Sequence, residues 1–245
     1  MRKIIFLSTA ALALFAVSCK KSSEELQTAP ISDYYPLQVG KYITYNLDST
    51  VFTNFGQNLE VHSYQVKHSV DAQITDNLGR PAYRITRFIR SSSTAPWVSD
   101  NTFMAVPTGS SMEFVENNLR FLKMKSPIRD GFTWKGNTYI DTYSSGSNFK
   151  FMADWDYSYD SLNLPAKIGT LTIDSTITVR QQDEVHGDPN VAGTLYADKT
   201  YSLEKYAKGI GMIYQNFLHW EYQNIIGGRK FYVGYGVKLT MIDHN

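Results

Sequence analysis

Three aspartates recur through Asp154-Trp155-Asp156-Tyr157-Ser158-Tyr159-Asp160, the kind of spacing from which a calcium loop draws carboxylate oxygens. Such a loop also needs a glycine at its sixth position and a distal glutamate, and neither is present. On a strand, Asp154, Asp156 and Asp160 share the face opposite Trp155, Tyr157 and Tyr159, so a solvated strand face accounts for them without a metal. His62 and His68 also share a strand face. Six residues at about 3.3 Å each set them ~20 Å apart, too far to share a zinc whose ligands lie at ~2.0–2.1 Å. His186 sits among carboxylates in Asp183-Glu184-Val185-His186-Gly187-Asp188, which reads as a flexible acidic loop. Gly109-Ser110-Ser111 lacks the Gly-x-Ser-x-Gly frame of a nucleophile elbow, and neither a phosphate-cradling glycine loop nor His-Glu-x-x-His occurs. No catalytic residue, metal ligand or cofactor site is assigned. Paired carboxylates brought together only by the fold are the one enzymatic arrangement that spacing leaves open.

Cys19 is the single cysteine of the chain. It closes an N-terminal stretch in which Arg2 and Lys3 precede an apolar run from Ile4 to Val17, broken only by Ser8 and Thr9; this is the pattern of a secretory signal. The run falls short of the ~20 apolar residues of a membrane span, and Lys20, Lys21, Ser22, Ser23, Glu24 and Glu25 end it. Ala16-Val17-Ser18-Cys19 resembles the lipobox read by lipoprotein signal peptidases, with Ala16 where a leucine is usual. That resemblance implies a signal peptide over residues 1–18 and a mature chain beginning at Cys19. The cysteine would carry acyl chains, palmitate among them, on its amino group and on a thioether-linked glycerol. At ~0.8 kcal/mol per buried methylene, several chains hold a protein firmly on a membrane where one would not. Lys20 stands where an aspartate would signal inner-membrane retention, so the expected destination is the outer membrane. Its periplasmic face and the cell surface both remain open. Residues 19–32 are too polar to fold alone and read as the lipidated cysteine and its flexible tether.

The rest, residues 33–245, has a length of roughly 210 residues that suits one β-rich domain. With no cysteine after Cys19 it contains no disulfide and no thiolate. Lys and Arg number 24 against 23 for Asp and Glu, and no basic block stands out, so a nucleic-acid partner has no electrostatic footprint. Seventeen tyrosines, thirteen phenylalanines and four tryptophans belong to the residue types that favour strands.

Period-two alternation dominates this body. Phe231, Val233, Tyr235, Val237, Leu239 and Met241 mark one face of a last strand. Met212, Tyr214, Leu218, Trp220 and Tyr222 alternate before it, with Gly227-Gly228 as the turn between. Tyr64 to Thr75 pairs with Tyr83 to Ile89 through Asp76-Asn77-Leu78-Gly79, and Met112 to Val115 with Leu119 to Met124 through Asn117-Asn118. Phe149, Phe151, Ala153, Trp155, Tyr157 and Tyr159 form a face of a further strand, and Leu171, Ile173, Ile177 and Val179 most of another. Tyr42 to Asp48 brings the count to roughly ten. Lys199 to Lys208 has weak helical character, cut off by Gly209 and Gly211, and is assigned to strand or turn. The expected fold is all-β with little helix. Consecutive hairpins form an antiparallel meander that curls into a half-barrel or barrel, because a flat sheet this wide would leave long reactive edges.

Three stretches carry a resemblance: Asp33-Tyr34-Tyr35-Pro36-Leu37-Gln38-Val39-Gly40-Lys41-Tyr42-Ile43-Thr44-Tyr45; Val115-Glu116-Asn117-Asn118-Leu119-Arg120 with Gly131-Phe132-Thr133-Trp134-Lys135-Gly136-Asn137; and Ala207-Lys208-Gly209-Ile210-Gly211. They resemble uncharacterised Bacteroidetes-type lipoproteins with an N-terminal lipobox and a β-rich body, and the resemblance implies an anchored β-rich domain and no activity. Physically, Pro36, Gly40 and Gly136-Asn137 are turn devices, and Trp134, Tyr42 and Tyr45 are core anchors. Gly40-Lys41-Tyr42 is weakly similar to the Gly-x-Trp that opens lipocalin barrels, with tyrosine in place of tryptophan. The expectation is a non-catalytic binding or structural module of the outer membrane, held there by the lipid on Cys19, with a protein, glycan or lipid ligand. The alternatives are a lipocalin-like carrier of a small apolar ligand, needing a cavity of ~300–1,000 Å³, and a glycan-acting hydrolase whose carboxylates assemble in the fold.

Overall fold

The computed structural model describes residues 28–225 and 228–245. The signal segment, Cys19 and Gly227 lie outside the described residues. A four-residue helix α1 (Ile31–Tyr34) leads into twelve strands: β1 (Tyr42–Thr53), β2 (Asn58–Thr75), β3 (Pro81–Arg90), β4 (Val98–Pro107), β5 (Ser111–Glu116), β6 (Leu119–Lys125), β7 (Thr133–Lys135), β8 (Asp156–Ile168), β9 (Leu171–His186), β10 (Tyr196–Ala207), β11 (Gly211–Asn224) and β12 (Lys230–His244). All pairs are antiparallel. The order β6-β5-β4-β3-β2-β1-β12-β11-β10-β9-β8-β7 joins the first strand to the last, so the meander curls into a nearly closed barrel, as alternation and edge avoidance anticipated.

The two free edges, β6 and β7, face each other across a seam. No ladder joins them; a single backbone hydrogen bond and aromatic side chains do. Leu122 N–H donates to Gly136 O at 2.8 Å, Trp134 Nε1–H donates back to Leu122 O at 2.8 Å, and the Tyr159 hydroxyl both accepts from Lys125 N–H at 2.9 Å and donates to Lys125 O at 2.8 Å. The Trp134 and Tyr159 rings pack 4.6 Å apart beside them, so each satisfies backbone groups that an edge would otherwise leave bare.

Turn chemistry sets the register. Asn117 and Asn118 take φ of 51° and 63°, the left-handed pair that a two-residue hairpin requires and asparagine tolerates. Asp76 Oδ1 accepts from Leu78 N–H and Arg80 N–H, both at 2.9 Å, while Arg80 reaches on to bond Glu113 with both terminal nitrogens at 3.0 and 2.8 Å. Inward residues such as Tyr45, Val66, Phe103, Phe114 and Ile177 are buried. Through its middle the outward face of β1 to β3 is polar: Ser63 bonds Asp48 at 2.8 Å, Gln65 bonds Asn46 at 3.1 Å, and Arg90 bonds Gln65 at 2.9 Å, with Leu59 and Val61 exposed only toward the Asn58 end of β2. That is the reverse of a bilayer-spanning barrel, which is apolar outside.

Several expectations are corrected. There are twelve strands and not ten: β4 and the three-residue β7 were not anticipated. The alternation from Phe149 to Trp155 is not strand. Lys150–Met152 forms a 3₁₀ turn, Asp154 sits at φ 59°, and Trp155 Nε1–H closes back on Phe151 O at 2.8 Å, so these aromatics pack over the barrel end. Asp183 to His186 belong to β9, whose ladder with β10 runs as far as His186↔Asp198. Packing begins before Asp33, since Ala29 and Ile31, expected in the tether, lie against the core. On β12, Val233 and Tyr235 are exposed and Tyr232, on the opposite face, stacks on Phe52 at 5.4 Å; past the barrel wall the strand has no interior to face.

Gly234 shows how tightly β11 and β12 meet. At φ 144°, a Cβ there would lie 2.1 Å from the His219 carbonyl oxygen, and backbone cannot swing aside as a side chain can. Gly234→Ala is expected to cost about 2–3 kcal/mol through overpacking and strain, read as a lower urea midpoint at unchanged m-value. Gly40→Ala, where a Cβ meets nothing within 4 Å, should cost visibly less.

Candidate functional site in the barrel interior

The interior is not filled solid. A cavity of about 200 Å³ runs between the walls, lined by rings that include Tyr35, Phe103, Phe114, Trp155 and Phe217. It reaches Asn117 and Tyr235, both exposed, at the end away from α1. The α1 end is stoppered. Ile31 and Tyr34 are buried, Tyr34 Oη–H donates to Asn163 Oδ1 at 2.7 Å, and the Tyr35 ring lies 6.2 Å from Phe114 and 5.9 Å from Tyr206.

Inside this aromatic wall sits a charged group. Lys123 Nζ bonds Glu204 Oε1 at 2.6 Å and lies 3.3 Å from Glu116 Oε1, while the Tyr206 hydroxyl donates to the other oxygen of Glu204. Glu204 is fully buried and Lys123 nearly so. Burial alone would drive the Lys123 ammonium toward neutrality, but Glu204 and Glu116 outweigh it and hold its pKa above the ordinary lysine value. Burial likewise pushes the Tyr35 and Tyr157 hydroxyls above their usual range, so both stay protonated.

Alternation carries both polar side chains inward: Lys123 follows Leu119 and Phe121 on one face of β6, and Gln181 follows Ile177 and Val179 on one face of β9. Each also sits at a break in register: Met112 pairs with Met124 and Glu113 with Leu122, while Ser202 pairs with Gln182 and Leu203 with Arg180, so Lys123 and Gln181 are the extra residues of β-bulges. Gln181 is 4% exposed, its Oε1 accepts from the Ser202 hydroxyl, and its Nε2 has no partner. On the opposite wall, His68 lies between Tyr45 and Phe103 at ring separations of 5.0 and 5.3 Å, and its buried Nε2 is also unpartnered. Burial, and then the charge of Arg87, push the His68 pKa down to about 3.

The residues singled out in the sequence lie elsewhere, except one. Asp154 accepts from the Tyr143 hydroxyl at 2.7 Å, Asp156 pairs with Lys135 at 3.0 Å and Asp160 with Arg180 at 2.6 Å, three separate partnerships and no shared centre. Exposed His62 pairs with Glu60 at 3.1 Å, and His186 Nδ1 lies 3.0 Å from Asp198. Only His68 lines the cavity. The carboxylates that meet inside, Glu116 and Glu204, share Lys123, so both are tied to one cation. An imidazole that takes its proton near pH 3 is a poor general base at neutral pH. The signal for Lys123 and Glu204 was in the chain: each places a charge two residues from an inward aromatic, Phe121 or Tyr206.

No protein-family model matches the chain, and no curated protein is similar to it.

Two consequences can be measured. Lys123→Met strands a buried carboxylate and is expected to cost about 3–5 kcal/mol. Adding Glu204→Gln should recover at least half of that loss, in a double-mutant cycle read by urea denaturation. For His68, the unfolded chain takes a proton near 6.5 and the native protein only near 3. Between those values the unfolded state binds more protons, so this group's contribution to stability is full above pH 6.5 and falls on acidification. Between pH 6.5 and 4.5 the parent protein should lose about 2 kcal/mol more than His68→Gln, at ~1.4 kcal/mol per pH unit.

Proposed function

We propose that this protein is a lipid-anchored lipoprotein of the Bacteroidetes type, attached through Cys19 to the outer membrane, whose barrel is a non-catalytic module that binds a small ligand in its interior. The observation that carries the reading is the aromatic-lined cavity into which Lys123 and Gln181 point as polar side chains. Its volume, about 200 Å³, lies below the ~300 Å³ floor for drug-sized ligands, because the barrel's own rings occupy much of the interior. It exceeds the ~150 Å³ of an apolar cavity known to take up benzene. A ligand of about one ring is therefore the fitting size, smaller than the apolar cargo of a large carrier barrel.

The polar outer face of β1 to β3 supports attachment by lipid and not by strands. Among the described residues no helix is long and apolar enough to cross a membrane. The described N-terminal segment and Asn245 both lie at the stoppered end, where Tyr42 N–H donates to Asn245 Oδ1 at 2.8 Å. A tether from Cys19 then leaves the open end of the cavity pointing away from its attachment.

Protein purified from its own envelope is expected to show a native mass above that of the polypeptide beginning at Cys19. Cys19→Ser should lose the added mass and leave the outer-membrane fraction. An unmodified mass for the parent overturns the anchor. For the interior, toluene at ten times its Kd should raise Tm by about 3–6 °C, and filling the cavity with Val70→Phe should abolish that rise; no rise in the parent protein overturns the ligand site.

A further inference from the structure

The chemistry of the cavity's polar groups narrows what can occupy it, an argument that rests on the interior being a ligand site. Gln181 is fixed by the Ser202 hydroxyl on its Oε1 side, so its two Nε2 hydrogens are the groups left without a partner. A buried donor without an acceptor costs about 1–3 kcal/mol, and an occupant bearing an acceptor oxygen removes that cost. The cations that line the cavity are already engaged. Lys123 is held by Glu204 and Glu116, Arg87 by Asp100, and Lys41, at the stoppered end, donates to the Gly209 carbonyl at 2.7 Å. An anion beside Gln181 would surrender its hydration and meet, among the described residues, no cation there without a carboxylate partner, and a cation would surrender its own beside Lys123 and Arg87. Glu116 keeps about a quarter of its side chain in water (24% exposed), so the surplus carboxylate charge of the cluster is solvated at the open end. On the far wall, five strands round the sheet from β9, His68 offers a second unpartnered nitrogen on an uncharged ring. The walls between are the faces and edges of Phe103, Phe114, Trp155 and Phe217, which suit a flat apolar body.

We propose that the cavity takes an uncharged, single-ring-sized molecule that presents a hydrogen-bond-accepting oxygen to the carboxamide of Gln181. Alternation carries Gln181 inward two residues after Val179 and so places a donor in an apolar space, which rewards one ligand atom over the others. His68 sets the limit at the other end, accepting or donating as its tautomer allows.

Four probes of similar shape test this: acetophenone, ethylbenzene, benzoate and benzylammonium, titrated into the purified full chain and read by calorimetry and ligand-observed NMR. Acetophenone is expected to bind about tenfold tighter than ethylbenzene, the value of one buried hydrogen bond, and at least as far ahead of both ions. Gln181→Leu should bring acetophenone down to the level of ethylbenzene and leave ethylbenzene's affinity within about threefold of the parent's. Benzoate or benzylammonium binding as tightly as acetophenone overturns the assignment, as does a preference that survives Gln181→Leu; in either case the interior remains a ligand site of different chemistry. If none of the four binds, ethylbenzene included, the ligand site itself falls. Should Gln181→Leu not fold, the order of the four probes on the parent chain decides.

Discussion

The contact between Lys123 and Glu204 ties together two halves of the chain that the ladders join on one side only. β1 to β6 form one run of hairpins and β7 to β12 another; they pair through β1 and β12, and at the opposite side meet only at the seam. Lys123 belongs to the first half and Glu204 to the second, 81 residues apart. Their bond runs behind the seam. The side-chain bonds of Trp134 and Tyr159 hold the edges in contact, and the ion pair fixes the inner spacing of β6 and β10. Two charges removed from water rarely gain net stability over apolar residues of the same size. What the pair confers is selectivity among geometries, because a slip of either strand would leave one charge alone.

The same interior holds a second buried polar side chain. Lys123 and Gln181 each enter on their strand's own alternation, and each sits where the ladder is interrupted. Only one of the two is fully answered by the protein. Lys123 finds Glu204 and Glu116, whereas Gln181 finds Ser202 on its oxygen alone. The difference separates a polar group that organises the fold from one that is left for something else.

Most of the sheet was legible because inward and outward residues alternate wherever a strand has one wet face. The hairpins through Asp76 to Gly79 and Asn117-Asn118 announced themselves by turn chemistry, and the all-β meander followed. The alternation misled at Phe149 to Trp155, where aromatics pack over a barrel end without a ladder, and was silent at β7, three residues long. The site was far less legible. Asp154, Asp156 and Asp160 drew notice as neighbours in sequence, yet each has its own partner. Lys123, Gln181 and Glu204 are scattered through the chain and converge only when the barrel closes. Period-two reading does place Lys123 after Phe121 and Gln181 after Val179 on inner faces, but it does not say which polar residues meet across the barrel.

Pairing the first strand with the last has a cost in time. Ile43 lies against His244, so the ladder that unites the two runs of hairpins is among the longest-range contacts the chain can make. Hairpins of neighbouring strands form from local contacts, but ring closure waits until the whole chain is present. Folds with such high contact order are slow to form and expose unpaired edges meanwhile. No fragment released early can close on itself.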